Sequence, residues 1–210
     1  MTMNKAPEFF SVIVPVYNHP DEVRELLESL ARQRIMNFEV IIVEDGSSVP
    51  CREVADSFAA RGLDVKYFAK ENEGRSIARN YGIARSRGDY LIFFDSDCVI
   101  PEDYFLKLKK FTTEHPYDAF GGPDAADASF TDTQKAISFA MTSFLTTGGI
   151  RGGKVSLEKF TPRTFNMGFS REVYNKVGGF REMFSEDIDM STRIRLAGFS
   201  IGLYPDLPGD

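Results

Sequence analysis

Apolar positions in the first hundred residues switch repeatedly between a strand pattern and a helix pattern. Residues 9–18 open with a short β-branched run, Val12-Ile13-Val14, of the kind that fills a strand buried on both faces of a parallel sheet. Pro15 cannot donate to a ladder, so this strand is expected to end near it and open into a loop. Val23, Leu26, Leu27 and Leu30 then recur at i, i+3, i+4 and i+7, which is a helix period. Residues 38–43 read as a second buried strand, stopped by Glu44-Asp45-Gly46-Ser47-Ser48. Val54, Ala55 and Phe58 mark a second helix, with Gly62 placed to end it, and residues 65–68 a third, short strand. Residues 76–87 are helical in pattern, with Ile77, Tyr81 and Ala84 on one face and Gly88 beyond. Residues 90–94 form a strand that runs straight into Asp95-Ser96-Asp97.

This β-α-β-α-β-α-β order predicts an α/β protein with a parallel, doubly wound sheet, in which ligands sit beyond the carboxyl ends of the strands. Three polar clusters fall at such ends: Pro15-Val16-Tyr17-Asn18, Glu44-Asp45-Gly46 and Asp95-Ser96-Asp97. The second half is less regular. Tyr104, Leu108 and Phe111 predict a helix, Ala119-Phe120-Gly121-Gly122-Pro123 a short strand and turn, and residues 131–145 a further helix. The glycine-rich stretch 146–154 reads as a mobile loop. Short helices are expected at 171–177, closed by Gly178-Gly179, and at 187–196, ended by Gly198. A strand-like stretch follows at 199–204.

Composition narrows the classes. The chain has 210 residues, 42% of them apolar, which suits one domain over residues 9–210 behind a frayed leader, residues 1–8. The net charge is −6 and no basic run stands out, which argues against a nucleic-acid partner. Two cysteines, Cys51 and Cys98, form no metal or redox spacing, so a reduced, cytoplasmic setting is the simpler reading. No stretch reaches the roughly 20 apolar residues of a membrane span.

Each polar cluster has a chemical use and a plain structural one. Asp95 and Asp97, two apart on a tight turn, can aim carboxylates at a hard cation, or can simply form an acidic turn. Asp45 can accept from the N–H of a base on which Tyr17 stacks; a turn aspartate and a strand-end tyrosine are the bland alternatives. Arg75 and Arg79, at the start of a helix, can pair with phosphate oxygens or stand on a solvated face. Glu186-Asp187 can supply a general base or merely favour a helix N-terminus.

Taken in order, Ser11 to Asn18, Glu44 to Ser48, Gly74 to Ile83 (GRSIARNYGI), Asp95-Ser96-Asp97, Asn166-Met167-Gly168 and Ser185 to Asp189 resemble family 2 glycosyltransferases. The likeness covers nearly the whole chain. It implies a GT-A fold, a Rossmann-like three-layer α/β/α sandwich around a mostly parallel twisted sheet. It implies Pro15, Tyr17 and Asp45 around a nucleobase, uracil first among the choices, and Arg79 near the base or phosphates. Asp95 would lie near the ribose and metal, and Asp97 would be the principal ligand of Mn2+ or Mg2+. Asn18, Arg75 and Ser96 complete the donor side, while Gly122, Asn166 and Gly168 would line the sugar and acceptor. Asp187 would be the catalytic base, with Glu186 beside it.

The implied reaction is an inverting transfer of a hexosyl or N-acetylhexosaminyl group from a UDP-sugar. The acceptor would be a glycan or a lipid-linked saccharide, in cell-surface polysaccharide synthesis. Work at the inner face of a membrane, through segments outside this chain, is part of that expectation. Two departures stand out. Glu44 replaces a frequent aspartate. A histidine that helps some relatives hold metal or diphosphate lies past the Glu-Asp motif, whereas the histidines here, His19 and His115, are upstream. Either the protein manages without it, or the sequence, which stops soon after a strand-like stretch, ends before it. A nucleotidyltransferase would carry a basic, glycine-rich loop after the first strand and a dinucleotide enzyme G-x-G-x-x-G, and both are missing. A non-catalytic nucleotide-sugar-binding module of the same fold is the remaining alternative.

Overall fold

The computed structural model of the chain describes residues 7–122 and 160–204. The first six residues, Pro123, the helix expected at 131–145, the loop at 146–154 and residues 205–210 lie outside them. The elements in chain order are β1 (Phe10–Val16), α1 (Pro20–Ala31), β2 (Phe38–Asp45), α2 (Arg52–Ala60), β3 (Val65–Lys70), α3 (Arg75–Ile83), β4 (Tyr90–Phe93), α4 (Tyr104–Glu114) and β5 (Ala119–Gly121). After the undescribed segment come a 3-10 turn (Thr164–Asn166), β6 (Met167–Ser170), α5 (Arg171–Val177), α6 (Glu186–Leu196) and β7 (Ile201–Leu203).

Among the described residues the strands form one seven-stranded sheet in the order β3-β2-β1-β4-β6-β5-β7. β6 runs antiparallel to both its neighbours, and every other pair is parallel. Strand alternation divides the core in two. Val12, Val14, Val40, Ile42 and Ile92 meet Leu26, Leu30, Phe58, Phe105 and Leu108 of α1, α2 and α4 on one face. Ile13, Ile41, Val43, Leu91 and Phe93 meet Ala78, Ile83, Val173, Met190 and Ile194 of α3, α5 and α6 on the other. The result is the three-layer sandwich expected.

Pro15 is tolerated in a central strand because the β1–β4 ladder ends at Ile13↔Phe93, before the missing donor would be needed. The chain turns from β1 toward β2 and β3 on one side, then to β4 on the other. The carboxyl ends of β1, β2 and β4 therefore border a topological switch point.

Four sequence readings change. β2 runs two residues further than expected, because β3 also extends and pairs Glu44 with Ala69 and Asp45 with Lys70. α3 buries Ala78, Arg79, Gly82 and Ile83 and leaves Ala84 exposed, so the Ile77-Tyr81-Ala84 face is not the core face. Small residues decide this: a Cβ on Gly82 would stand 2.7 Å from Ile13 Cγ2, so the helix lies very close to the sheet. β6 lies in the stretch around Met167-Gly168 and was not anticipated as a strand. Pro7 and Glu8, placed in the frayed leader, are held: Pro7 is buried, and Glu8 N donates to Asp89 Oδ2 at 3.2 Å.

Candidate active site

A cleft of about 490 Å3 opens at the switch point, lined by Pro15, Val16 and Tyr17 at the end of β1, Asp45 at the end of β2, and Asp95, Ser96 and Asp97 after β4. Gly74, Arg75 and Arg79 of α3 close its floor, and His19, Glu22 and Asn72 complete the rim. Residues from four separate stretches thus meet in one place.

On the β1 side, Tyr17 is half-exposed and presents its ring to the cleft. Asn18 has another task. Its backbone is left-handed (φ 60°), and its Oδ1 accepts from Ser48 N at 2.8 Å and Val49 N at 3.0 Å. It fastens the loop after β2 and does not line the cleft. Glu44, where an aspartate was expected, is also committed: it accepts from Cys51 N at 2.7 Å, Tyr67 Oη at 3.2 Å and Ser47 Oγ.

Asp45 is buried and accepts three hydrogen bonds: from Lys70 Nζ at 2.7 Å, Glu73 N at 3.1 Å and Gly74 N at 2.8 Å. Burial alone would raise its pKa; Lys70 and the two backbone donors outweigh it and hold the carboxyl below the ordinary aspartate range. An ionised carboxylate offers about four acceptor positions, so about one remains for a ligand. Gly46 (φ 74°) lets this loop close, since a Cβ there would stand 2.5 Å from Asn72 N.

A buried charge network underlies the cleft. Arg79 is fully buried and donates to Asp95 Oδ1 at 2.9 Å and Glu186 Oε1 at 3.0 Å. Arg75 grips the same glutamate, Nε to Oε1 at 3.0 Å and Nη2 to Oε2 at 3.3 Å. Glu186, placed beside the base by sequence, therefore has both oxygens bound to arginine and links α6 to α3. Arg79 Nε is buried with no partner. Asp187 is also buried, and its Oδ2 lies 3.1 Å from Arg163 Nε while Oδ1 accepts from Ile188 N at 2.9 Å.

Toward the other strands, Asn166 is buried and accepts from Tyr104 Oη at 2.9 Å; its carbonyl accepts from Gly122 N at 3.1 Å. Gly168 lies inside β6, where a Cβ would meet Phe120 Cε1 at 2.4 Å. Its glycine is required by sheet packing. None of these three lines the cleft. Sequence reading missed Lys70 and Arg163. The alternation of β3 opposite Asp45 offered a signal for Lys70; Arg163 stands in an irregular stretch and offered none.

The carboxylates after β4 suit a hard divalent cation. Asp97 is exposed and has no hydrogen bond or ion pair among the described residues, and Asp95 commits only Oδ1 to Arg79. No cluster of three or more His, Cys, Asp or Glu side chains that could hold a metal occurs among the described residues. Two carboxylates would leave most of the shell of such a cation to other oxygen ligands.

The sequence profile described as Glycosyl transferase family 2 matches residues 11–178, across β1 to α5. The chain belongs to glycosyltransferase family 2. This family member is 38% identical over 108 residues to the glycosyltransferase GlyA of Streptococcus pneumoniae, covering 51% of this chain and 16% of that one. It is 32% identical over 194 residues to the uncharacterised glycosyltransferase YibD of Escherichia coli, covering 92% of this chain and 52% of that one. The chain thus spans about half or less of these relatives.

The fold is of the GT-A type. S. aureus TarS superposes with a TM-score of 0.73 at 23% identity, covering 96% of this chain and 59% of the TarS chain, and has been solved with UDP-GlcNAc and with UDP. The mannosyltransferase PcManGT of Pyrobaculum calidifontis, solved with GDP-Man and Mn2+, superposes with a TM-score of 0.76 at 19% identity. That match covers 98% of this chain and 57% of the other.

Proposed function

We propose that this chain transfers a hexosyl or N-acetylhexosaminyl group from a UDP-sugar to an acceptor hydroxyl, with inversion at the anomeric carbon. The observation that carries this reading is the meeting of Tyr17, Asp45, Asp95 and Asp97 in one cleft at the switch point. The nucleotide sugars bound by TarS and PcManGT support the donor class.

Tyr17 offers a ring face to the base, and the remaining acceptor position of Asp45 suits the imide N–H of uracil. Mn2+ or Mg2+, held by Asp95 and Asp97, would offset the charge that grows on the departing diphosphate. Arg79 fixes Asp95 from beneath, and Arg75, at the first position of α3, brings positive charge to the phosphate side. Asp187 takes the proton of the acceptor hydroxyl as its oxygen bonds to the anomeric carbon. The bond to the diphosphate breaks on the opposite face. Arg163 and Ile188 N each hold one oxygen of Asp187, so the carboxylate is oriented before the acceptor arrives. The acceptor is a glycan or lipid-linked saccharide of the cell surface.

Among the described residues no helix is long and apolar enough to cross a membrane. Both cysteines are buried and neither is in a disulfide, which supports a reducing, cytoplasmic compartment.

The test is Asp187→Asn. Donor affinity by calorimetry should match the parent, while transfer, assayed by released UDP, should fall about 10²–10⁴-fold, the usual worth of a general base. Unchanged turnover would sink the assignment. Donor binding with no turnover in the parent would return the non-catalytic module.

A further inference from the structure

We propose that the loop tip at residues 181–184 is a platform for an acceptor sugar, with the phenyl ring of Phe184 stacked on the apolar face of a pyranose. This rests on the transferase reading above and adds a second substrate subsite to it. Phe184 is 93% exposed, and the other described phenylalanines are buried or partly buried. The chain has no tryptophan, so carbohydrate stacking must fall to tyrosine or phenylalanine.

Single exposed apolar residues are common and need no explanation. Three features separate Phe184 from them. Met183, next to it in the chain, and Ile188, in the first turn of α6, are each about half-exposed as well. The tip is also pinned at both ends. Asn80 Nδ2 donates to Phe180 O at 2.7 Å and Phe180 N donates back to Asn80 Oδ1 at 2.8 Å. Arg193 Nη2 holds Gly179 O at 2.9 Å, and Ser185 O accepts from Ile188 N at 3.0 Å. Between these anchors Ser185 takes a left-handed backbone (φ 62°), costly for a residue with a side chain. That turn lets Phe184 stand in solvent while Glu186 and Asp187 are buried.

The third feature is position. A cavity of about 270 Å3 lined by Gly74, Arg75, Ser76, Glu182 and Met183 shares Gly74 and Arg75 with the donor cleft. Glu182 and Met183 of the tip thus border a cavity next to the cleft, and the chain runs on from Phe184 through Ser185 and Glu186 to Asp187.

The chemistry favours a sugar over other occupants. A pyranose has apolar C–H faces and a rim of hydroxyls, so it suits an aromatic ring preceded by exposed charged groups such as Arg181 and Glu182. An anionic membrane surface would be repelled by a chain of net charge −6, and Arg181, the cation of the tip, is paired with Asp189. A second copy of the chain would need about 800 Å2 per partner, far more than three side chains offer.

The test is a glycan array of bacterial and plant saccharides, probed with the full chain and with Phe184→Ser, both with and without UDP and Mn2+. Because the ring is exposed, the variant should keep the parent's melting temperature and UDP affinity. Glycans retained by the parent should bind the variant about tenfold more weakly, and Phe184→Tyr should restore them. Equal retention by parent and variant, or no glycan retained by the parent, overturns the proposal. So does Phe184-dependent binding to phosphatidylglycerol vesicles with glycan retention unchanged. A parent that fails to bind UDP sinks the donor reading alone, since retention without nucleotide is scored separately.

Discussion

Glu186 and Asp187 are adjacent carboxylates whose surroundings give them different work. Glu186 neutralises two arginines, one of them fully buried, whereas Asp187 is held by Arg163 and a backbone amide. Removing one partner of a buried ion pair strands the other charge, at a cost of about 3–5 kcal/mol. Glu186→Ala should therefore lower the urea midpoint steeply, because Arg79 would keep only Asp95. A loss below about 1 kcal/mol, the range of surface pairs, would show that Arg79 is solvated and the network is not structural. The resemblance made Asp187 the base and set Glu186 beside it, but gave no sign of the ion pairs that hold them, since their partners come from α3 and from Arg163 before the 3-10 turn, distant in sequence. For the same reason Asn18 looked like a donor contact, though it is a loop fastener.

The strands were legible because each is an apolar run with a polar stop, and their order alone implied the switch point. β6 escaped because Met167-Gly168-Phe169-Ser170 is short and holds a glycine, a residue that weakens a strand pattern. α3 was found, but its close approach to the sheet was not, because it is made at Ala78 and Gly82, which carry little hydrophobic signal. That contact is testable. Gly82→Ala gains about 1 kcal/mol of helix propensity. It also forces a methyl to 2.7 Å from Ile13 Cγ2 and 3.1 Å from Val43 Cγ2, both on stiff β-branched side chains. Overpacking of this kind costs about 1–3 kcal/mol, so thermal unfolding should show a less stable protein. A raised melting temperature would mean that α3 can lift from the sheet freely.

At the scale of the molecule, two buried carboxylates tie elements together and set its response to acid. Glu39, at the start of β2, is desolvated, which raises its pKa. Lys66, Arg87 N and Ser11 more than compensate, so the net shift is downward, as for Asp45. A carboxyl depressed in the folded state adds stability above its unfolded pKa of about 4 and loses it as pH falls through the folded value. The melting temperature should therefore be level above about pH 5 and fall progressively below pH 4. A level profile down to pH 3 would contradict the roles given to both groups. Lys70 completes the donor-side ion pair and is shifted upward: burial opposes its charge, but Asp45 and Glu73 outweigh it. Its contribution persists through neutral pH and is lost only as alkali passes that raised value.

In the proposed reaction, nucleotide and cation bind together in the cleft at the switch point, the cation through Asp97. Calorimetric titration of UDP into the protein, with and without Mn2+, tests this most directly when repeated on Asp97→Ala. Binding to the parent should be saturable and strengthen with Mn2+, and the variant should lose that strengthening with its melting temperature unchanged. The same affinity in parent and variant, or binding indifferent to Mn2+, would contradict it.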